Sequence, residues 1–163
     1  MTMWAVVFVI MTAAQGVGNT HRGHWIPFWQ DACRDGRRNA CRNLALIEAT
    51  TCNNGSGWAC NEFGLLLAQR RYVGAGVASA LDRRSHESFR RACELGFSLG
   101  CENLRLSAVD VGSLRSGAPQ LSDYRIVLRE GQRPVPESAF ELYQRACRQG
   151  FTSACENPAG KAR

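Results

Sequence analysis

The chain has 163 residues, 45% hydrophobic and 21% charged, an ordinary make-up for a soluble globular body long enough to bury its own core. Its net charge of +6 comes from nineteen arginines and one lysine set against fourteen acidic residues. These charges are scattered through helical segments rather than gathered in a block, so no nucleic acid is expected as a partner. The charge supports only a weak preference for acidic partners or anionic membrane surfaces.

The chain begins with a twelve-residue apolar run, Met3 to Ala14. That is the length of a signal peptide and short of the ~20 residues of a spanning helix. Ala13, Ala14 and Gly16 offer small residues to a signal peptidase, but no Lys or Arg precedes the run. Extended over Met1 to Val17, the segment makes about 25 Å of helix, enough for a thin or tilted crossing. Residues 1–17 therefore read as a signal peptide or a retained membrane anchor, and a retained anchor is the expectation. The Gly-bearing stretch 18–24 reads as a linker. His21 and His24 are candidate ligands for a metal or haem iron; with no third ligand near them they read as exposed linker residues, and no metal or cofactor is expected. Trp25, Phe28 and Trp29 fall at i, i+3, i+4 and share one helix face. They serve either as an apolar cap on a helical stack or as aromatics at a membrane interface.

The eight cysteines stand at 33, 41, 52, 60, 93, 101, 147 and 155, four pairs of identical C-x7-C spacing. Zinc sites draw on shorter hooks, so structural zinc is not expected. Eight cysteines allow 105 pairings. The repeated local spacing favours one: Cys33–Cys41, Cys52–Cys60, Cys93–Cys101 and Cys147–Cys155. Each such short loop contributes roughly 2.5 kcal/mol on chain-entropy grounds, and disulfides at this density imply an oxidising compartment. The alternative is eight reduced cysteines buried in a cytosolic core.

Gly36, Gly55, Gly96 and Gly150 stand three residues after the first cysteine of each pair, where a left-handed residue ends a helix. Ala40, Ala59, Gly100 and Ala154 precede the second cysteine, small enough for two helices to approach closely. Asn43, Asn61, Asn103 and Asn157 follow it within two residues. Each pair thus spells helix, tight turn, helix, with a bridge across the turn.

Two units carry longer arms. Phe63, Leu66, Leu67 and Tyr72 recur at helical spacing after Cys60, and Phe89 and Ala92 precede Cys93. Between them lies a loop with Gly74 and Gly76. Near the end, Ala139, Phe140, Leu142, Tyr143 and Ala146 form a matching face, starting at Ser138 or Pro136. Residues 131–135 stand where the glycine loop should be.

Cys60-x-x-Phe63-Gly64, then Tyr72-x-Gly74-x-Gly76-Val77, then Ala92-Cys93-x-x-Gly96 before Cys101 resembles the Sel-one-like repeat, a relative of the tetratricopeptide repeat. The cysteine pair in each unit makes it look like the secreted bacterial cysteine-rich (Hcp-type) branch. The resemblance runs over residues 27–158, most fully in 60–104 and 131–157. It implies an all-α, helix-turn-helix repeat solenoid, a right-handed superhelix working as a protein-interaction scaffold, with three or more stacked units. The solenoid is placed at 25–158, with a tail at 159–163.

Two departures stand out. Cys33 and Cys52 are only 19 residues apart, so the start reads as a compressed capping unit with one short helix within residues 42–51. Cys101 and Cys147 are 46 apart, against 33 between Cys60 and Cys93, which marks an insertion over residues 105–124. Such insertions either carry a specific contact or are tolerated loops.

Catalytic equipment is not evident. Ser-x-x-Lys, Gly-x-Ser-x-Gly, phosphate-loop and His-Glu-x-x-His motifs are missing, and Lys161 sits in the tail. His86 falls opposite Phe89 on a helix and reads as surface. Glu87, Glu94, Glu102, Glu141 and Glu156 read as i to i+4 helix supports. C-x7-C is not the redox spacing. No catalytic residue and no small-molecule substrate are expected. The sequence points to a non-enzymatic scaffold or accessory subunit of an exported or membrane-associated complex, docking protein partners through its repeat face and touching the membrane through residues 1–17. The alternatives are a secreted soluble repeat protein, or an assembly factor for a respiratory or photosynthetic cofactor complex.

Overall fold

The computed structural model describes residues 26–71, 78–128 and 138–161. The expected anchor, the linker with His21 and His24, Trp25, the loop with Gly74 and Gly76, and residues 131–135 lie outside the described residues. Those described hold eight α-helices and no strand: α1 (Ile26–Arg34), α2 (Arg38–Asn53), α3 (Gly57–Ala68), α4 (Ala78–Glu94), α5 (Ser98–Leu106), α6 (Leu121–Val127), α7 (Ala139–Arg148) and α8 (Thr152–Glu156).

Four turns of one design join α1 to α2, α2 to α3, α4 to α5 and α7 to α8. In each the glycine takes a left-handed backbone, φ 84° at Gly36, 99° at Gly55, 83° at Gly96 and 93° at Gly150. The N–H of Gly96 bonds the Cys93 carbonyl and the N–H of Phe97 bonds the Ala92 carbonyl, each at 3.0 Å. The same two bonds recur around Gly36, Gly55 and Gly150. They satisfy carbonyls that a helix end leaves open, and a side chain at that φ would be strained. The reversal sets the two cysteines of each unit face to face, and all four expected disulfides form, with Cα–Cα distances of 4.5–4.8 Å. Disulfides in this number place the folded chain in an oxidising environment. Ala40, Ala59, Gly100 and Ala154 are buried against the preceding helix, and a Cβ on Gly100 would collide with that of Ala92.

The short capping helix expected within 42–51 is instead part of the sixteen-residue α2, which carries both Cys41 and Cys52. No Gly or Pro interrupts Arg38–Asn53, so nothing ends the helix between the two bridges. Helices α1 to α5 pack each on the next, as do α6 to α8, and α3 sits deepest. Its Gly64 admits the Phe89 ring of α4: an ideal Cβ there would lie 2.7 Å from Phe89 Cε1. Ser85 of α4 donates to the Gly64 carbonyl at 3.0 Å. The ends of the chain's body also meet, with Pro27 of α1 beside Gly150 and Trp58 of α3 edge-to-face with Phe151 at 6.0 Å.

The insertion is neither floppy nor free. Asp110 caps a short 3-10 turn, Val111–Ser113, and a non-helical segment over 114–120 leads into α6. Helix α6 was not legible in the sequence; it packs on α3 and α7. Its buried Asp123 accepts from the Gln120 N–H at 2.8 Å, from Ser56 Oγ at 2.7 Å and from the Trp58 N–H at 3.1 Å. One side chain thus ends the insertion and starts both α6 and α3. Asp123→Ala leaves these donors buried without an acceptor and is expected to cost about 2 kcal/mol of stability, measured by urea unfolding. A change within a few tenths would contradict this role.

Of the glutamates read as helix supports, Glu141 has a defined local role. Among the described residues, ion pairs join Arg34 to Asp31 and Arg70 to Asp82, both exposed. Glu141 instead accepts from the Ser138 N–H and hydroxyl, capping α7.

Candidate functional site

Several polar side chains of α3 and α5 converge on the main chain of the insertion. Asn61 and Asn103, one or two residues past a bridging cysteine, are completely buried. Asn103 Nδ2 donates to Asn61 Oδ1 at 2.7 Å, which links the two side chains. Asn103 then holds Arg115 twice: its Oδ1 accepts from the Arg115 N–H at 2.9 Å and its Nδ2 donates to the Arg115 carbonyl at 2.7 Å. Asn61 Nδ2 reaches the same carbonyl at 3.2 Å. Two residues on, the Gly117 N–H donates to Glu62 Oε1 at 3.3 Å, and Trp58 Nε1 donates to the Gly117 carbonyl at 2.7 Å. Ser116 Oγ, between them, donates to Glu62 Oε2 at 2.7 Å. The groove grips residues 115 and 117 through their backbone N–H and C=O, the alternation of an extended chain. Gly117 is also required by space, since a Cβ would meet Phe97 and Leu99.

Beside this groove, α1, α2 and α3 line a half-open cavity of about 240 Å³ with two carboxylates on its wall, Glu48 and Glu62. Glu48 is 1% exposed and Glu62 7%. Burial, then the charge of Glu62, push the Glu48 carboxyl well above its ordinary range, against a smaller opposing effect of the Gln30 amide. Burial raises Glu62 to about 7, resisted by its hydrogen bonds from Ser116, Asn61 and Gly117. Glu48 Oε2 is buried with no hydrogen-bond partner.

The four bridges and the turn glycines Gly36, Gly55, Gly96 and Gly150 stand where the spacing put them. Phe28 is 52% exposed on α1 and touches the half-buried Trp29 edge-to-face at 5.0 Å. His86 is exposed, its Nδ1 3.3 Å from Ser107 Oγ, so it does read as surface. No described helix is long and apolar enough to cross a membrane. No three His, Cys, Asp or Glu side chains among the described residues are grouped to hold a metal.

Sequence reasoning noticed Asn61 and Asn103 but gave them no role, and it missed Trp58, Glu62 and Glu48. A signal for Glu48 was present. Cys41, Leu44, Ala45, Glu48 and Cys52 share one face of α2, and a glutamate on an otherwise apolar stripe marks a buried charge. Compared with protein-family models, curated proteins and solved structures, the chain matches none.

Proposed function

We propose that this chain is a non-enzymatic interaction module of the Sel-one-like repeat kind, an exported accessory subunit that docks an extended segment of a protein partner. The observation that carries this reading is the Asn61–Asn103 clamp, which binds backbone rather than side chains and so suits a polypeptide of varied sequence. In the described structure the clamp holds the chain's own Arg115, and Glu62 and Trp58 hold Ser116 and Gly117 beside it. A partner segment enters by exchange with them. The four bridges support export, and residues 1–17 are proposed to keep the subunit at a membrane beside a larger complex.

The reading makes a directional prediction. Ser116→Ala removes the tie from Ser116 to Glu62 and leaves the clamp intact; Asn103→Ala destroys the clamp. With native membranes solubilised in mild detergent, the wild-type chain should co-purify with a discrete, stoichiometric assembly. Ser116→Ala should raise the recovered partner several-fold, and Asn103→Ala should lose it while still melting cooperatively. Equal recovery in all three variants would remove the groove from the docking site. Recovery of the chain alone, in the soluble fraction and short of its first residues, would turn the reading to a secreted repeat protein.

A further inference from the structure

From the cavity between α1, α2 and α3, we infer a second binding site, one that takes an organic cation: a guanidinium or primary ammonium head carried on an aliphatic stem. Glu48 is the ligand that points to it. Its carboxyl is almost wholly buried, lines the cavity, and leaves Oε2 without a hydrogen-bond partner. An unpartnered buried carboxylate is unfavourable until a donor or counter-charge reaches it. Glu62 lines the same cavity and adds its own negative charge beside Glu48. Gln30 adds an amide on the same wall.

Among the described residues no cation is paired with Glu48 or Glu62. Arg34 and Arg71 also line the cavity, but Arg34 is exposed and paired with Asp31 on its own helix, and Arg71 is exposed and bonded to neither carboxylate. A metal ion is disfavoured by the donor set. Both oxygens of Glu62 already accept hydrogen bonds, from Ser116, Asn61 and Gly117. A hard divalent ion needs about six oxygen ligands, and no three ligating carboxylates, histidines or cysteines are grouped among the described residues. A cation with N–H donors needs only the open Glu48 oxygen and the field of its neighbour. Leu44, Leu65 and Leu66 complete the wall and fit methylene groups behind such a head. The volume, about 240 Å³, holds a butylguanidinium-sized ligand.

The head group has two sources, a free small amine or guanidine and a basic side chain presented by a polypeptide. The first is probed directly, so the inference does not depend on the groove reading. Calorimetric titration of the full chain at pH 8 with n-butylguanidinium or n-butylammonium chloride should give saturable one-to-one binding. Tetramethylammonium, which has no N–H, should bind at least tenfold more weakly. Glu48→Gln keeps the shape and removes the charge, and should weaken binding tenfold or more with an unchanged helical spectrum. Should that variant not fold, Glu62→Gln takes its place with the same expectation. Absence of saturable binding, or equal affinity in wild type and the glutamine variant, overturns the site. Acetyl-Ala-Arg-Ala-amide binding as tightly as butylguanidinium assigns the head to a polypeptide side chain; butylguanidinium alone binding assigns it to a small molecule. Asn103→Ala should leave cation binding intact, which separates failure of this site from failure of the groove.

Discussion

Treated with excess reductant, the protein should lose its cooperative melt and unfold near room temperature. Each bridge closes an eight-residue separation and contributes roughly 2.5 kcal/mol through the entropy of the unfolded chain. Four together approach 10 kcal/mol, which is an upper figure because braces on shared helices are not independent. That is comparable to the stability of an entire domain, about 5–15 kcal/mol. The order of loss follows exposure. Cys33, Cys41, Cys52 and Cys60 are buried, whereas Cys155 is exposed and Cys147 half-buried. Graded reduction followed by alkylation and peptide mass spectrometry should label Cys147 and Cys155 before the buried pairs. Melting indifferent to reductant would contradict the whole scheme of braced turns.

Stability should also fall as pH rises from about 5 to 7.5, the reverse of the usual behaviour of a salt-bridged carboxylate. Glu62 is the cause, with Glu48 acting in the same sense. Its folded-state value, about 7, lies above the ordinary 4.5, so between those values the folded chain holds a proton that the unfolded chain has released. The stabilisation is therefore complete below about 4.5 and is lost as pH passes through 7. A shift of this size corresponds to about 3 kcal/mol, or roughly 10 °C of melting temperature for a chain of this length. Asp110 and Glu141 are shifted the other way by their hydrogen bonds, but both lie on the surface, where solvent screens the effect. Glu62→Gln should flatten the profile across this window. A melting temperature that rises steadily from pH 5 to 7.5 in the wild-type chain would show that both glutamates are ionised throughout.

Local order was legible in the sequence because it has local causes. A glycine three residues past a cysteine, a small residue before the next, and a fixed separation of eight are sufficient to dictate a left-handed helix stop, a close reversal and a bridge. All three are satisfied by groups within about ten residues of one another, and the four turns of the structure repeat them without exception. The apolar faces of α4 and α7 were readable for the same reason, since a helix buries one stripe whatever it packs against. At the compressed start the single helix was legible and its length was not: no breaker separates Cys41 from Cys52, so one continuous helix serves two bridges.

What the insertion does was decided elsewhere in the chain. Residues 115–117 have no regular pattern of their own; they are held by Trp58, Asn61, Glu62 and Asn103, the first three more than fifty positions away. Asp123 likewise starts α6 while tying down Ser56 and Trp58. The cavity owes its charge to α2 and α3 meeting, which turns two unremarkable glutamates, fourteen positions apart in sequence, into a buried pair. The bridges, the turns and the all-helical class follow from neighbours along the chain. The groove and the cavity come from the packing of distant segments: buried polar groups must find partners or shed charge, and which partners they meet is settled by how the helices pack.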